Sequence, residues 1–237
     1  VRKAMAVDPT YQTWSALRRS SMEMRQQAGR GLVLRQLDAL IGKARQINNS
    51  HDGLELDPTV EVPRYASAVD IHCMPGGYHT ELVPDDVSAA ANYDAGIFAT
   101  TGGMLGRFND GGGQALAQWL KEEHPGFQPK RILDIGCTVG HNSVPLAQAF
   151  PDAEVVAVDV AAPMLRYGHA RARALAVQTI RFRQARGEDL GYPDGHFDLI
   201  MTSMFWHETS ARAMPHMLAE VPRMLASGGL TVHLEQP

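Results

Sequence analysis

The 237-residue chain is poor in cysteine and lacks any long uninterrupted apolar run. Its two cysteines, Cys73 and Cys137, exclude a disulfide framework and fit a reducing compartment. No run approaches the roughly 18 apolar residues of a transmembrane helix, and no signal peptide opens the chain. These absences predict a soluble, cytoplasmic protein with no membrane partner. Because the first residue is Val1, we expect the sequence to be part of a longer natural product.

An excess of positive charge is also absent. Lys and Arg total 22 against 26 acidic residues, so the formal net charge is -4. This balance argues against a protein that binds nucleic acid or an anionic membrane through bulk charge. With 44% hydrophobic residues, the chain can still bury a core large enough for one domain and an appendage.

The first half of the sequence has mainly helical patterns. Apolar residues recur at three- and four-residue spacing within 10–47, where Gly29 and Gly31 predict a join between two helices. A polar, proline-bearing stretch at 48–63 predicts a loop. We therefore predict that residues 1–115 form a mainly helical cap, which binds the substrate or mediates a homodimer.

Residues 116–237 alternate between strand and helix patterns. Five apolar segments of strand length, beginning with "RILDIG", are separated by short connections and amphipathic helices. This alternation predicts parallel strands with crossover helices, which is a doubly wound, mostly parallel α/β sheet of Rossmann-like type. In such a sheet the ligand lies beyond the carboxyl ends of the strands.

The first of these strands leads into a glycine turn, "DIGCTVG". The turn lacks the GK[ST] ending of a P-loop, so a nucleoside triphosphate is excluded. Gly136 and Gly140 flank Thr138 where the dinucleotide fingerprint has a further glycine. Asp134 would repel a pyrophosphate and attract a ligand that carries an ammonium and a sulfonium group. The charge pattern therefore favours S-adenosylmethionine over NAD.

The second strand ends in another carboxylate, Asp159, which follows Asp134 by 25 residues. A carboxylate at this position can accept hydrogen bonds from both hydroxyls of a ribose. NAD and S-adenosylmethionine share that ribose contact, so Asp159 predicts a nucleoside without choosing between them.

Four motifs carry a family resemblance: "ILDIGCTVG", "VVAVDVAAPML", "GEDLGYPDGHFDLIMTSMFWHE" and "AEVPRMLASGGLTVHLEQ". In order and spacing they resemble the motifs of class I S-adenosylmethionine-dependent methyltransferases over about residues 120–237. The segment "PDGHFDLI" is similar to the small-molecule branch that includes ubiquinone- and menaquinone-biosynthesis enzymes. The resemblance also implies a helix and two antiparallel strands after the fifth strand, so we expect further strands beyond Pro237.

The resemblance implies a cofactor site for S-adenosyl-L-methionine, with S-adenosyl-L-homocysteine as the product. It assigns the methionine moiety to Asp134, Gly136 and Gly140, the ribose to Asp159, the adenine to Gly187 and Glu188, and the sulfonium neighbourhood to Ser203. The segment "NYDAGIF" resembles the tyrosine-containing lid of the family, which places Tyr93 over the methionine moiety.

The acceptor side is predicted from the residues that follow the fourth strand. His207 is our candidate for a general base, and Glu208 either orients it or binds the acceptor. His207 could instead pack on the cofactor or cap the next helix. Trp206 either stacks on an aromatic acceptor or belongs to the core.

Three further residues are candidates for substrate binding. A Pro-Gly-Gly turn is expected to carry Tyr78 and His79 toward the acceptor, and His141 is expected to face the pocket mouth. We expect no metal, because His72, Cys73 and His79 match no common structural-zinc spacing and no fourth ligand is evident.

The sequence therefore predicts an S-adenosylmethionine-dependent methyltransferase that acts on a small organic acceptor, with O-methylation favoured. A nucleic-acid or protein methyltransferase and a non-catalytic S-adenosylmethionine-binding protein remain alternatives. A nicotinamide oxidoreductase is disfavoured by Asp134 and Thr138.

Overall fold

The computed structural model describes residues 2–68 and 70–235. The helices in these residues are α1 Arg2–Val7, α2 Pro9–Leu34, α3 Leu37–Asn49, α4 Arg64–Ser67, α5 Ser88–Thr100, α6 Gly111–Glu123, α7 Ser143–Ala149, α8 Ala162–Ala174 and α9 Met214–Met224. The strands are β1 Leu54–Glu55, β2 Arg131–Ile135, β3 Glu154–Asp159, β4 Ile180–Gln184, β5 Phe197–Ser203 and β6 Leu225–Leu234. A short 3-10 helix, Trp206–Glu208, follows β5.

The strands form one sheet in the order β1-β4-β3-β2-β5-β6, and every neighbouring pair is parallel. The central strand β2 pairs with β3 on one side and β5 on the other, so the strand order reverses beside β2. Ligands of doubly wound sheets bind beyond the carboxyl ends of the strands at such a reversal. The doubly wound parallel sheet predicted from the sequence is confirmed.

Helices cover both faces of the sheet, which explains the almost unbroken apolar character of its central strands. Along β2, Ile132 packs into the cluster on one face, whereas Leu133 and Ile135 pack into the cluster on the other. These three side chains are at most 2% exposed.

Two features of the N-terminal half differ from the sequence-based expectation. Residues 48–63 were expected to be loop, but Leu54 and Glu55 add a sixth strand at the sheet edge, where Leu54 pairs with Phe182. A strand of two residues is too short to produce a recognisable alternation, although Leu54 packs against the main core. The expectation of strands beyond Pro237 stays a prediction.

The glycines of the second helix do not form the predicted join. Gly29 and Gly31 both lie inside α2, and the chain turns only between Leu34 and Leu37. A Cβ atom on Gly29 would lie 2.6 Å from Oδ1 of Asn92 in α5. Gly29 therefore permits two helices to pack closely, which a periodicity pattern cannot distinguish from a break.

The N-terminal helices pack onto the parallel sheet domain through α5 and α8. Gln26 of α2 accepts a hydrogen bond from Nδ2 of Asn92 at 3.0 Å and donates one from Nε2 to the carbonyl of His72 at 3.2 Å. In α3, Asn48 contacts Nδ1 of His169 in α8 at 2.8 Å. These contacts fix the segment around His72 relative to the sheet.

Over the residues that the structure describes, none of the helices combines the length and apolar character needed to cross a bilayer.

Candidate functional site

The turn between β2 and α7 requires glycine at both predicted positions. Gly136 and Gly140 have φ values of 75° and 76°, in the left-handed region that favours glycine. A Cβ atom on Gly136 would lie only 2.3 Å from the ring of Phe205. The backbone N–H groups of Gly136 and Cys137 donate to the carbonyl of Val158 at 2.9 and 3.0 Å, which ties the turn to β3.

Thr138 also has a left-handed backbone, with φ at 48°. This conformation is unusual for a β-branched residue, and such outliers concentrate at ligand-binding turns. The backbone N–H of Thr138 donates to Oδ2 of Asp159 at 3.0 Å. The carboxylate predicted to bind a ribose therefore also holds the glycine turn in place.

Two carboxylates lie at the strand ends that flank this turn. Asp134 is 1% exposed and accepts a hydrogen bond from Oγ of Ser143 at 2.5 Å, while Asp159 also accepts one from the backbone N–H of Ala161 at 2.9 Å. Burial raises the pKa of Asp134 and of Asp159 to about 6. Among the described residues, no Lys, Arg or His side chain forms an ion pair with either carboxylate. This end of the sheet is therefore electrostatically suited to a cationic ligand.

The loop after β4 holds a buried acceptor without a partner. Glu188 accepts a hydrogen bond from the hydroxyl of Tyr65 at 3.0 Å through Oε1, and Nη2 of Arg186 lies 3.5 Å from the same oxygen. Oε2 of Glu188 is buried and has no hydrogen-bond partner among the described residues. Leaving such an atom unpaired is costly, so this oxygen is suited to accept from a ligand. Tyr65 was missed in the sequence because its helix lies far from the sheet motifs.

Gly187 and Ser203 complete the residues predicted for the cofactor. A Cβ atom on Gly187 would lie 3.3 Å from the Met217 side chain and 3.4 Å from that of Ile135, next to the end of β2. Ser203 is the last residue of β5 and pairs with Leu234 of β6. Both therefore lie at the carboxyl edge of the sheet.

Tyr93 of α5 lies over the glycine turn. Its hydroxyl accepts a hydrogen bond from Oγ1 of Thr138 at 3.5 Å, and burial raises the pKa of Tyr93 to about 12. The Tyr93 ring stacks on His141 with centroids 5.8 Å apart and meets Tyr78 edge-on at 5.6 Å. Tyr93 thus connects the turn to the segment that carries Tyr78.

The acceptor side is centred on Glu208. Its Oε1 accepts a hydrogen bond from the hydroxyl of Tyr78 at 2.8 Å and lies 2.9 Å from Nε2 of His72. Burial favours the neutral acid, but the hydrogen bonds from His72 and Tyr78 outweigh it and lower the pKa of Glu208. The hydrogen bond with Glu208 in turn raises the pKa of His72.

The partner of His207 is not Glu208. Nδ1 of His207 lies 2.7 Å from Oε1 of Glu235, whose Oε2 accepts from the backbone N–H of Trp206 at 2.7 Å. The hydrogen bond that orients His207 therefore comes from Glu235 and not from Glu208, which is engaged by His72 and Tyr78. The alternative expectation, that Glu208 binds the acceptor, stays a prediction. No sequence spacing signals the pairing of His207 with a residue beyond the last strand.

The remaining predicted residues lie around this centre in different roles. His141 contacts Oδ1 of Asp94 through Nε2 at 2.8 Å, so its ring is fixed to α5. Trp206 is half-buried and donates from Nε1 to Nδ1 of His233 at 3.4 Å. His79 is half-buried beside Gly77. Asn142 precedes α7 and makes no side-chain capping bond to it.

Comparison with known proteins identifies the class that this fold and site define. Residues 132–229 match a family model described as "Methyltransferase domain". A solved structure from Methanococcus maripaludis, described as a candidate S-adenosyl-L-methionine-dependent methyltransferase, superposes with a TM-score of 0.50 at 22% identity and covers 66% of this chain and 67% of its own. This likeness shows the Rossmann-like methyltransferase fold.

Two curated relatives have informative names. The demethylmenaquinone methyltransferase of Thermus thermophilus is 39% identical over 109 residues, which are 46% of this chain and 48% of the relative. The malonyl-[acyl-carrier protein] O-methyltransferase of Geobacter sulfurreducens is 38% identical over 112 residues, or 44% of this chain and 38% of the relative. The chain thus spans about half, or less, of the length of these relatives. The match of residues 132–229 to a methyltransferase domain supports the class I S-adenosylmethionine-dependent methyltransferase family expected from the motifs.

Proposed function

We propose that the protein binds S-adenosyl-L-methionine and transfers its methyl group to a small organic acceptor, with O-methylation favoured. The observation that carries this proposal is the pair of carboxylates, buried Asp134 and half-buried Asp159, which flank a strained glycine turn and form no ion pair with a cationic side chain of the described residues. A sulfonium and an ammonium group supply that positive charge. The names of relatives, which include a nocamycin O-methyltransferase of Saccharothrix syringae, support a small acceptor.

The residues of the cofactor end fit the parts of this ligand. Asp134, Gly136 and Gly140 bind the methionine moiety, and Tyr93 covers it from α5. Asp159 receives the ribose hydroxyls beside the hydrogen bonds that it accepts from the backbone N–H groups of Thr138 and Ala161, since a carboxylate offers about four acceptor positions.

We further propose that the adenine packs against Gly187 and Glu188 and that the sulfonium lies near Ser203. The exocyclic amine of adenine is a hydrogen-bond donor. The buried Oε2 of Glu188 is an acceptor that has no hydrogen-bond donor among the described residues. The unpartnered oxygen therefore gives the assignment of Glu188 to adenine a physical reason.

We also propose that the acceptor binds between Tyr78, Glu208 and His207, and that Trp206 forms one wall of the acceptor pocket. Bound S-adenosylmethionine supplies an electrophilic methyl group, so the protein must mainly position an acceptor oxygen and remove its proton. When Nδ1 of His207 carries the proton and donates to Glu235, Nε2 holds the free lone pair and can accept that proton. Glu208 binds the acceptor through the same carboxylate that holds Tyr78.

The roles of His79 and His141 in substrate binding stay predictions. His141 contacts Asp94 and stacks on Tyr93, which supports a role in positioning the Tyr93 ring. His141 would then affect the pocket through Tyr93 and not by contact with the substrate. His79 shares the turn of Tyr78.

Calorimetric titration with S-adenosylhomocysteine, with NAD as a parallel ligand, tests the cofactor. We expect micromolar-range binding of S-adenosylhomocysteine and none of NAD. Binding of NAD, or of neither ligand, would overturn the proposal.

An assay of S-adenosylhomocysteine release over a panel of phenols, quinols, carboxylic acids and amines then tests the transfer. A product that carries a methoxy group or a methyl ester supports O-methylation, whereas turnover with amines only contradicts it. Cofactor binding without turnover on any acceptor favours a non-catalytic binding protein.

A further inference from the structure

Three side chains of metal-ligating type meet at the acceptor end of the sheet. One ligand atom each of His72, His207 and Glu208 lies within 4.8 Å of the other two. The group differs from the histidines and cysteine that the sequence places side by side, because two of its members follow β5 and the third comes from the segment before α5. Folding, not sequence spacing, brings these ligands together.

The histidine that follows β5 is oriented as metal-binding histidines are. Its Nδ1 contacts Oε1 of Glu235 at 2.7 Å, which leaves Nε2 of His207 as the ligand atom. In most histidine–metal sites the second ring nitrogen donates to a carboxylate, a backbone carbonyl or water, which fixes the tautomer and the ring direction. Glu235 is itself held by the backbone N–H of Trp206 at 2.7 Å.

The other histidine is held by its backbone. The N–H of His72 donates to Asp70 at 2.8 Å, and its carbonyl accepts from Gln26 of α2 at 3.2 Å. The N–H of Met74 donates to the second oxygen of Asp70 at 2.8 Å, which closes the turn. His72 is therefore presented to Glu208 by a segment that is fixed at several points.

The distances are close to those of a bound ion. Zinc–nitrogen and zinc–oxygen bonds measure about 2.0–2.2 Å, so ligand atoms around one such ion lie roughly 3–4.3 Å apart. The three ligand atoms all lie within 4.8 Å of one another, so none of their separations exceeds the upper end of this range by more than about half an ångström. The side chains of His72, Glu208 and His207 are 37%, 25% and 23% exposed, which leaves room for water or an acceptor oxygen on the open side.

We propose that His72, His207 and Glu208 bind one divalent first-row transition-metal ion through two imidazole nitrogens and one carboxylate oxygen. Imidazole favours zinc, iron, cobalt or nickel over magnesium and calcium, and a facial set of two histidines and one carboxylate leaves coordination positions open. The ion takes the place of the direct contact between His72 and Glu208 and neutralises the charge of the carboxylate.

The consequence for catalysis rests on the proposed methyl transfer, whereas the binding itself does not. An ion here would hold an acceptor oxygen and favour its deprotonated form, as a Lewis acid does. It would also occupy Nε2 of His207, so proton acceptance by that nitrogen applies to the metal-free protein only.

Metal titration of the full chain after treatment with a chelator tests the site. We expect one Co²⁺ or Zn²⁺ to bind with micromolar or lower Kd, and the Co²⁺ complex to show the d–d absorption of nitrogen and oxygen ligands. His72→Ala and Glu208→Gln are each expected to weaken binding at least 10-fold, and Glu235→Gln about 10-fold through the orientation of His207.

His51→Ala is the matched control, because His51 is exposed and its Nδ1 contacts the carbonyl of Ile47 in α3 at 3.0 Å. Its Kd is expected to equal that of the unchanged protein. Absence of stoichiometric binding to the unchanged protein, or equal Kd values in His72→Ala and His51→Ala, would overturn the site. The Co²⁺ spectrum of the unchanged protein needs no variant and so remains decisive if a substitution prevents folding.

The same samples separate the two proposals. Binding of S-adenosylhomocysteine without metal binding leaves the methyltransferase proposal intact and removes the metal site. Metal binding without binding of S-adenosylhomocysteine supports the metal site and overturns the cofactor proposal.

Discussion

Asp134 carries a carboxylate that the fold removes from water. Burial raises its pKa from 3.8 to about 6, with the neighbouring Asp159 as a further cause. A folded-state pKa above the unfolded value means that the folded protein binds protons more tightly between the two values. The stability contributed by this group is therefore greatest below pH 4 and is lost as the pH rises through 6.

Replacing the Asp134 carboxylate by an amide removes the free-energy cost of holding a negative charge in the protein interior. We expect Asp134→Asn to raise the free energy of unfolding, with a gain about 1 kcal/mol larger at pH 8 than at pH 5. The amide can still bond to Ser143, so the local geometry is preserved. Urea unfolding at the two pH values measures the difference.

Asp152→Asn serves as the control, since the side chain of Asp152 is 87% exposed. It is expected to have little effect at either pH. An equal gain for Asp134→Asn at both pH values would contradict the burial argument. The same variant is expected to bind S-adenosylmethionine more weakly, so that stability and ligand binding change in opposite directions.

Asp159 tests the ribose assignment. We expect Asp159→Ala to weaken binding of S-adenosylhomocysteine by roughly 1–3 kcal/mol, because a buried hydroxyl pair loses its acceptor. Calorimetry at pH 8 measures the change, with Asp152→Ala as the matched loss of an exposed carboxylate. An affinity equal to that of the control would remove Asp159 from the ribose site.

The turn from β2 to α7 depends on glycine for two separate reasons, which a pair of variants can separate. Gly136→Ala meets both the left-handed backbone and the ring of Phe205, and we expect it to cost about 2 kcal/mol or more of unfolding free energy and to weaken cofactor binding. Adding Phe205→Ala is expected to relieve the clash but not the backbone strain.

Thermal unfolding and calorimetry of both variants provide the measurement. Gly126→Ala is the control, because a Cβ atom there meets nothing within 4 Å. If Gly136→Ala were as stable as Gly126→Ala, the turn would have to adopt a different conformation in solution.

The central strands of the sheet could be predicted because β2, β3 and β5 are largely apolar runs, and burial on both faces of the sheet produces that pattern directly. Asp134, Gly136 and Asp159 could be placed at the ligand end because they stand at strand ends, where topology fixes their position. The short strand at Leu54 and the close packing of Gly29 left no periodic signal.

The acceptor end was less predictable than the cofactor end. Glu208 was identified because it follows β5, but its contacts with His72 and Tyr78 join segments that no local pattern relates. Likewise, His207 was paired with the neighbouring Glu208 in sequence, whereas the fold pairs it with Glu235. Side-chain partners that lie on different elements depend on how those elements pack, and single-sequence patterns carry no information on that.

The N-terminal helices hold the acceptor end through a small number of buried polar contacts. Gln26 is 7% exposed and bridges Asn92 and the carbonyl of His72. We expect Gln26→Leu to lower the free energy of unfolding by about 1–3 kcal/mol, because two buried groups lose their partner. Urea unfolding measures the loss.

Gln27→Leu makes the same chemical change on an exposed position of the same helix and is expected to be nearly neutral. Weaker Co²⁺ binding in Gln26→Leu, but not in Gln27→Leu, would further indicate that α2 positions His72. Equal stability of the two variants would show that this contact does not hold the helices to the sheet.

The bond between Tyr78 and Glu208 joins residues that are 130 positions apart. During synthesis the ribosome adds roughly 5–20 residues per second, so about 3–14 seconds separate the addition of Gly140 from that of Glu208. A nascent chain therefore contains the whole glycine turn while Tyr78 and His72 still lack their carboxylate partner. For that interval the growing polypeptide exposes this unfinished end of the molecule to chaperones and proteases.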